Sequence, residues 1–139
     1  QSKDLQNNVL AHALGSLAMF HSGSRAQAIQ KANGIVKSGK ASTDIKVLSI
    51  IAEIYNRSGM KFEKRSLYEN AAKLEPTSVP ILMELFFCHV HTRNFDEQRT
   101  VAMKLLKAGH QEFGTWAATV CMSLCAKGCF ACCSSLGVQ

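Results

Sequence analysis

Apolar residues recur at three- and four-residue intervals along almost the whole of this 139-residue chain. Such spacing is typical of amphipathic helices, and the alternating patterns that indicate strands are scarce. Turn residues interrupt the pattern at short intervals. The sequence therefore predicts seven helices, over residues 8–20, 25–37, 42 or 43 to 57, 61–74, 78–92, 96–108 and 111–126.

The connections between these helices are short, and two of them have a regular spacing. Helices joined by two to five residues pack antiparallel as hairpins. Gly23 and Gly59 stand 36 residues apart, and each lies between the first and second helix of a hairpin. A period of that size is typical of helical solenoids. We therefore predict an all-α fold of stacked helical hairpins.

Several local signals predict where the helices begin and end. Ser24 and Ser78 are expected to cap the helices that follow them, because a serine hydroxyl can accept a bond from a free N–H of the first turn. Gly39 is free to adopt the left-handed conformation common just past a helix. Pro80 falls in a first turn, where its missing N–H costs nothing. Apolar spacing predicts these buried faces: Leu10, Leu14, Leu17 and Ala18 on the first helix, and Val47, Leu48, Ile51, Ile54 and Tyr55 on the third.

Residues 45–78 resemble a tetratricopeptide repeat. The residues that carry the resemblance are the large–small pair Ile51-Ala52, then Tyr55, Gly59, Tyr68, Ala71 and Pro76. A small residue lets the second helix approach closely, and an aromatic side chain fills the gap beside it. Lys64 and Phe86 depart from the pattern, since the family places small residues there. The resemblance implies tetratricopeptide-like hairpins that form a right-handed superhelix.

Residues 67–124 show a more specific resemblance. The pieces YENAAKLEP, LMELFFCHV and FGTWAA are similar to the N-terminal repeats of the auxiliary subunit of the N-terminal acetyltransferase B (NatB) complex. The segment SRAQAIQKANGIVKSGK is more weakly similar to an early helix pair of that subunit. Members of this family are several times longer, so the resemblance implies a piece from their N-terminal region, in agreement with a chain that opens at Gln1.

This resemblance implies a non-catalytic scaffold. In the family, the solenoid wraps a catalytic subunit that uses acetyl-CoA to acetylate protein N-termini beginning Met-Asp, Met-Glu, Met-Asn or Met-Gln, and it helps to place the complex at the ribosome. The expected partners are thus the acetyltransferase catalytic subunit and the ribosome, with acetyl-CoA bound by the catalytic subunit and no cofactor bound by this chain. The alternative is a generic tetratricopeptide adaptor for protein–protein interaction in another complex.

A solenoid usually binds its partner on the concave surface. Repeat position predicts that eight residues face this surface: Lys46, Ser49, Glu53, Asn56, Met83, Phe87, Val90 and His91. A gradient from polar to apolar residues suits a protein or peptide ligand. In the other interpretation, Met83 and Phe87 pack against neighbouring repeats.

Charge and targeting signals agree with a cytoplasmic protein. The net charge is +6, from 16 Lys and Arg against 10 Asp and Glu. The basic residues are spread along the chain, which favours ordinary solubility charge over sequence-specific nucleic-acid binding. The first ten residues lack a basic start followed by an apolar run, so a signal peptide is not expected. Cytoplasmic location and free thiols are the resulting expectations.

The sequence contains none of the common catalytic motifs, including the acetyl-CoA loop, so an enzyme is not expected. His89 and His91 stand two apart, which points them to different faces of a helix. The five histidines are therefore interpreted as structural or solvated residues rather than metal ligands.

Five of the six cysteines lie in the last 19 residues, spaced C-x3-C-x3-C-x2-C-C. Zinc sites use two short knuckles separated by a longer spacer, which is missing here. This cysteine-rich segment therefore has three weaker interpretations: a zinc site, S-acylation of Cys132 and Cys133, and membrane insertion of residues 114–136. We predict a repeat domain over 1–126, with Cys121 and Cys125 in its last helix, and a Cys-rich tail over 127–139 outside the repeat, for which disorder is one interpretation.

Overall fold

The computed structural model describes residues 2–41, 43–114 and 116, and this part of the chain is helical apart from its turns. The described residues form six complete helices: α1 Ser2–His21, α2 Arg25–Lys37, α3 Ile45–Arg57, α4 Lys61–Leu74, α5 Val79–His91 and α6 Phe95–Lys107. Residues 111–114 and 116 are also helical. The chain forms two compact units, Gln1–Ile81 and Leu82–Gln139. The predicted all-α fold of helical hairpins is confirmed.

Most predicted helix bounds agree with the structure to within a residue or two, and α2 and α4 agree at both ends. Two starts differ more. Helix α1 begins six residues earlier than predicted. Helix α3 begins at Ile45 because the Asp44 carboxylate accepts a hydrogen bond from the Lys46 N–H at 3.0 Å. The last predicted helix begins at 111 as expected, and its predicted end at 126 lies outside the described residues.

The turn before α2 corrects one prediction. Ser24 precedes the helix, but its side chain forms no capping hydrogen bond. Its ψ is 56°, away from the extended geometry in which a hydroxyl reaches back to the first turn. The Ser24 carbonyl accepts the Ala28 N–H at 3.0 Å, which is the ordinary first hydrogen bond of the helix. At the other end of α2, Gly39 has a φ of +70°, so the predicted left-handed turn is confirmed.

Helix α3 is at the centre of the first unit, where it packs against α1, α2 and α4. Its predicted buried face is confirmed, and Ala52 is buried as well; the full set is Val47, Leu48, Ile51, Ala52, Ile54 and Tyr55. From α4, Leu67, Tyr68 and Ala71 complete this core. The repeat signature therefore corresponds to the contact between α3 and α4.

The buried face of α1 differs from the prediction. Leu14 is 50% exposed, Ala18 is exposed, and Leu10 and Leu17 are only half-buried. Ala13, Ser16 and Phe20 are buried instead. Two of these three side chains are small, which lets α2 and α3 approach α1 closely. The Ser16 hydroxyl donates to the His12 carbonyl at 3.0 Å, so its burial leaves no unpaired polar group.

In the second unit, apolar residues of α5 and α6 form the core. The buried residues of α5 in this unit are Leu82, Leu85, Phe86, Cys88 and His89, and those of α6 are Gln98, Val101, Ala102 and Leu105. The Phe86 ring meets the ring of buried Phe113 edge to face, with centroids 5.0 Å apart. The helix that begins at 111 therefore packs on α5.

Candidate interaction surfaces

Four of the predicted binding residues form one row on α3. Lys46, Ser49, Glu53 and Asn56 stand three or four residues apart, which places them on the same helix face. Glu53 is half-buried and the other three are exposed. Glu53 forms an ion pair with Arg57, one turn along the helix, and the Ser49 hydroxyl donates to the Ile45 carbonyl at 2.6 Å. Lys46 and Asn56 thus offer the exposed polar groups of this row.

The other four predicted residues lie on α5. His91 is exposed and Phe87 is 38% exposed, whereas Met83 and Val90 are half-buried. The Phe87 ring contacts three other aromatic rings of the second unit. Phe87 therefore takes part in packing within this unit while it keeps a face open to solvent. That these eight residues bind a partner stays a prediction.

Sequence reasoning missed the aromatic cluster that surrounds Phe87. It consists of Phe86, Phe87, Phe113 and Trp116, whose rings meet edge to face with centroids 5.0 to 6.3 Å apart. Trp116 is 50% exposed. The available signal was the pairing of Phe113 with Trp116 three residues later, which places both rings on one face of a helix. Exposed aromatic rings on a packed base are frequent anchors in protein interfaces.

A second surface feature, also missed, is an open groove of about 320 Å³ beside α1 and α2. We call it the α1–α2 groove; it is lined by Val9, His12, Lys31, Gly34, Ile35, Ser38 and Lys40. Its lining contains two lysines and no acidic residue. The signal in the sequence was the absence of Asp and Glu from residues 5–43.

Tyr55 has a clearly displaced pKa. Burial raises the pKa of its phenol above 10.0, and the nearby Glu63 carboxylate raises it further. The phenol donates a hydrogen bond to the Asn33 Oδ1 of α2. A neutral tyrosine that joins two helices has a structural role.

Metal sites and membrane-spanning helices are the remaining candidate features of the described residues. Among them, no group of three or more His, Cys, Asp or Glu side chains could hold a metal ion. Cys88 is buried and does not belong to a disulfide. Cys121, Cys125, Cys129, Cys132 and Cys133 lie outside the described residues, as does the predicted domain boundary after 126. No helix in the described ranges is long and apolar enough to cross a membrane.

The comparisons with known proteins identify one family. No curated protein and no solved structure matches the chain significantly. A family model described as "Psidin, N-terminal TPR repeats region" matches residues 2–129, a range that covers all six helices and runs past the predicted boundary at 126. Tetratricopeptide repeats are typically non-catalytic modules that bind other proteins. The chain therefore belongs to the Psidin N-terminal tetratricopeptide-repeat family, and protein–protein interaction is its general role.

Proposed function

We propose that this chain is part of the non-catalytic scaffold of an N-terminal protein acetyltransferase and that it binds the catalytic subunit. The observation that carries the proposal is the similarity of residues 67–124 to the N-terminal repeats of the NatB auxiliary subunit. That segment includes α5 and α6, with the row of Met83, Phe87, Val90 and His91. On this proposal acetyl-CoA binds to the catalytic subunit, and the cytoplasm and the ribosome are the site of action.

The geometry of the second unit supports a protein partner. Phe87 and Trp116 present partly exposed rings, while Phe86 and Phe113 hold them from the buried side. A rigid aromatic pair of this kind loses little conformational entropy when a partner covers it, and central aromatic residues dominate many interfaces. We therefore place the contact with the catalytic subunit on the exposed side of the aromatic cluster.

The experiment is co-expression of the tagged full chain with the NatB catalytic subunit, followed by affinity purification and gel filtration. We expect a complex of one copy each. Phe87→Ala is expected to weaken it by about tenfold or more, as for a central aromatic contact. Leu74→Ala is the matched control, because Leu74 is a still more exposed apolar residue in the first unit. It is expected to bind like the wild type.

Two outcomes would contradict the proposal. One is the absence of a complex although circular dichroism shows a folded helical chain. The other is a complex that Phe87→Ala and Leu74→Ala weaken equally, which would remove the aromatic cluster from the interface. A complex with the expected variant pattern would next be tested for acetylation of a peptide that begins Met-Asp.

The second candidate is a generic adaptor in another assembly. The family match favours it, since the repeat by itself determines only that the partner is a protein. The two candidates differ in one measurement. Binding of the acetyltransferase catalytic subunit is expected only for the scaffold, and a folded chain that does not bind it would leave the adaptor role.

A further inference from the structure

The α1–α2 groove combines an apolar floor with a positively charged rim. Val9 is half-buried and Ile35 is buried, so apolar surface lies at the base. At Gly34, no atom lies within 4 Å of the place that a Cβ would take, which leaves the helix backbone open to a ligand. Lys31 and Lys40 are exposed and line the groove. The groove can thus accommodate an apolar side chain between two ammonium groups.

The surrounding sequence gives this region a net positive charge, because it lacks acidic residues. Residues 5–43 contain four basic residues, Arg25, Lys31, Lys37 and Lys40, and no Asp or Glu. The ion pairs found among the described residues join Arg57 to Glu53, Arg65 to Glu69 and His110 to Glu112, so none of them involves these four. The charge of the two groove lysines therefore remains available to a ligand of opposite charge.

We propose that the α1–α2 groove binds an acidic peptide segment of a partner protein. Two carboxylates would pair with Lys31 and Lys40, and an apolar side chain between them would cover Val9 and Ile35. The inference goes beyond the acetyltransferase proposal and does not rest on it. It defines a second interaction surface, in the first unit.

The lining favours a peptide over a single-stranded nucleic acid. Proteins that bind single strands stack bases on aromatic side chains, and no phenylalanine, tyrosine or tryptophan lines this groove. Ser38, the residue just past α2, donates its hydroxyl proton to the Ile35 carbonyl at 2.8 Å, so this proton is not directed at a phosphate. An apolar floor, by contrast, matches the side chain of a residue such as leucine.

The test measures binding of a fluorescein-labelled peptide, Glu-Glu-Leu-Glu-Glu, to the full chain by fluorescence anisotropy. Lys31→Gln and Lys40→Gln are each expected to raise the Kd about two- to fivefold, the range for a partly exposed ion pair. Gly34→Leu is expected to weaken binding through occlusion of the apolar floor, with no change of charge. Lys37→Gln is the matched control, because it removes the same charge from the same helix outside the groove.

Four results would overturn the proposal. The first is that the acidic peptide does not bind. The second is that the uncharged peptide Gln-Gln-Leu-Gln-Gln binds equally well. Lys37→Gln weakens binding as much as Lys31→Gln, which would mean diffuse attraction to a basic surface. Finally, a short poly(U) RNA of equal charge binds more tightly and is weakened by the same two lysine variants, which would make the partner a nucleic acid. Circular dichroism of each variant confirms that it is folded.

Discussion

Tyr55 shows how one side chain joins two hairpins. Its ring is buried in the α3 core, and its hydroxyl donates to the Asn33 Oδ1 on α2. Tyr55→Phe keeps the ring and removes this bond, which leaves the half-buried Asn33 amide without its partner. We expect the free energy of unfolding, measured with urea at neutral pH, to fall by about 0.5–1.5 kcal/mol. An unchanged value would mean that water replaces the hydroxyl at no cost.

The same residue predicts a dependence of stability on pH. Burial and the Glu63 charge raise the pKa of folded Tyr55 above the unfolded value of 10.0. The folded state therefore holds this proton more tightly, and the resulting stability is complete below pH 10.0 and lost as the pH rises through the folded pKa. Urea titrations from about pH 8 to pH 11 are expected to show the wild type losing its advantage over Tyr55→Phe. A constant difference would contradict the prediction.

Individual residues also show what sequence alone could determine. The buried face of α3 was predicted because large apolar residues at helical spacing give a strong signal. The buried face of α1 was not predicted. Its residues Ala13 and Ser16 are small and contribute little to a hydropathy pattern, whereas the exposed Leu14 is large and strongly hydrophobic. Burial there depends on how closely another helix approaches, which is a tertiary property. The capping prediction for Ser24 failed for a similar reason, because it depended on a backbone angle.

At the scale of elements, two helical glycines differ in their surroundings. A Cβ at Gly114 would lie 2.9 Å from the Leu106 Cδ1 of α6, whereas one at Gly34 in α2 would meet no atom within 4 Å. We expect Gly34→Ala to raise the free energy of unfolding by about 0.5–1 kcal/mol through helix propensity. Gly114→Ala is expected to lower it by about 1 kcal/mol, because overpacking outweighs the same gain. Urea unfolding of both variants tests this.

These two substitutions serve as controls for each other, since they make the same chemical change in a helix. If both stabilise the protein, Leu106 moves aside freely and the packing of α6 at this point is loose. If both destabilise it, Gly34 has a role that its open surroundings do not explain. Only changes of opposite sign in the free energy of unfolding agree with close packing at Gly114 and open space at Gly34.

The candidate surfaces were harder to predict than the helices. Helical spacing places Lys46, Ser49, Glu53 and Asn56 on one face of α3, because spacing along a single helix determines a face. That this face binds a partner stays a prediction. The α1–α2 groove draws its lining from residues up to 31 positions apart, Val9 to Lys40. The sequence gives the charges of such residues but not the gap between the helices that carry them. Surfaces formed within one helix are therefore predictable, and those formed between helices require the structure.

At the scale of the whole molecule, the family match and the basic charge indicate a protein that acts through its surfaces. The chain carries a net charge of +6, and its first 43 residues contain Asp4 as their sole acidic residue. The aromatic cluster belongs to the second unit, and the basic groove to the first. If both proposals hold, these two surfaces of different chemistry bind two different protein segments, as the proposed scaffold role requires.

We also predict that removal of metal ions leaves the fold intact. The described helices are stabilised by apolar cores, and no metal-binding group of three occurs among those residues. We expect an excess of a zinc chelator in reducing buffer to leave the helical circular dichroism and the thermal midpoint unchanged. A variant with Cys129, Cys132 and Cys133 replaced by serine is the control. If the chelator lowered the wild-type midpoint and left the variant unaffected, the cysteines of the C-terminal segment would be metal ligands that stabilise the chain, because binding to the folded state alone raises its stability.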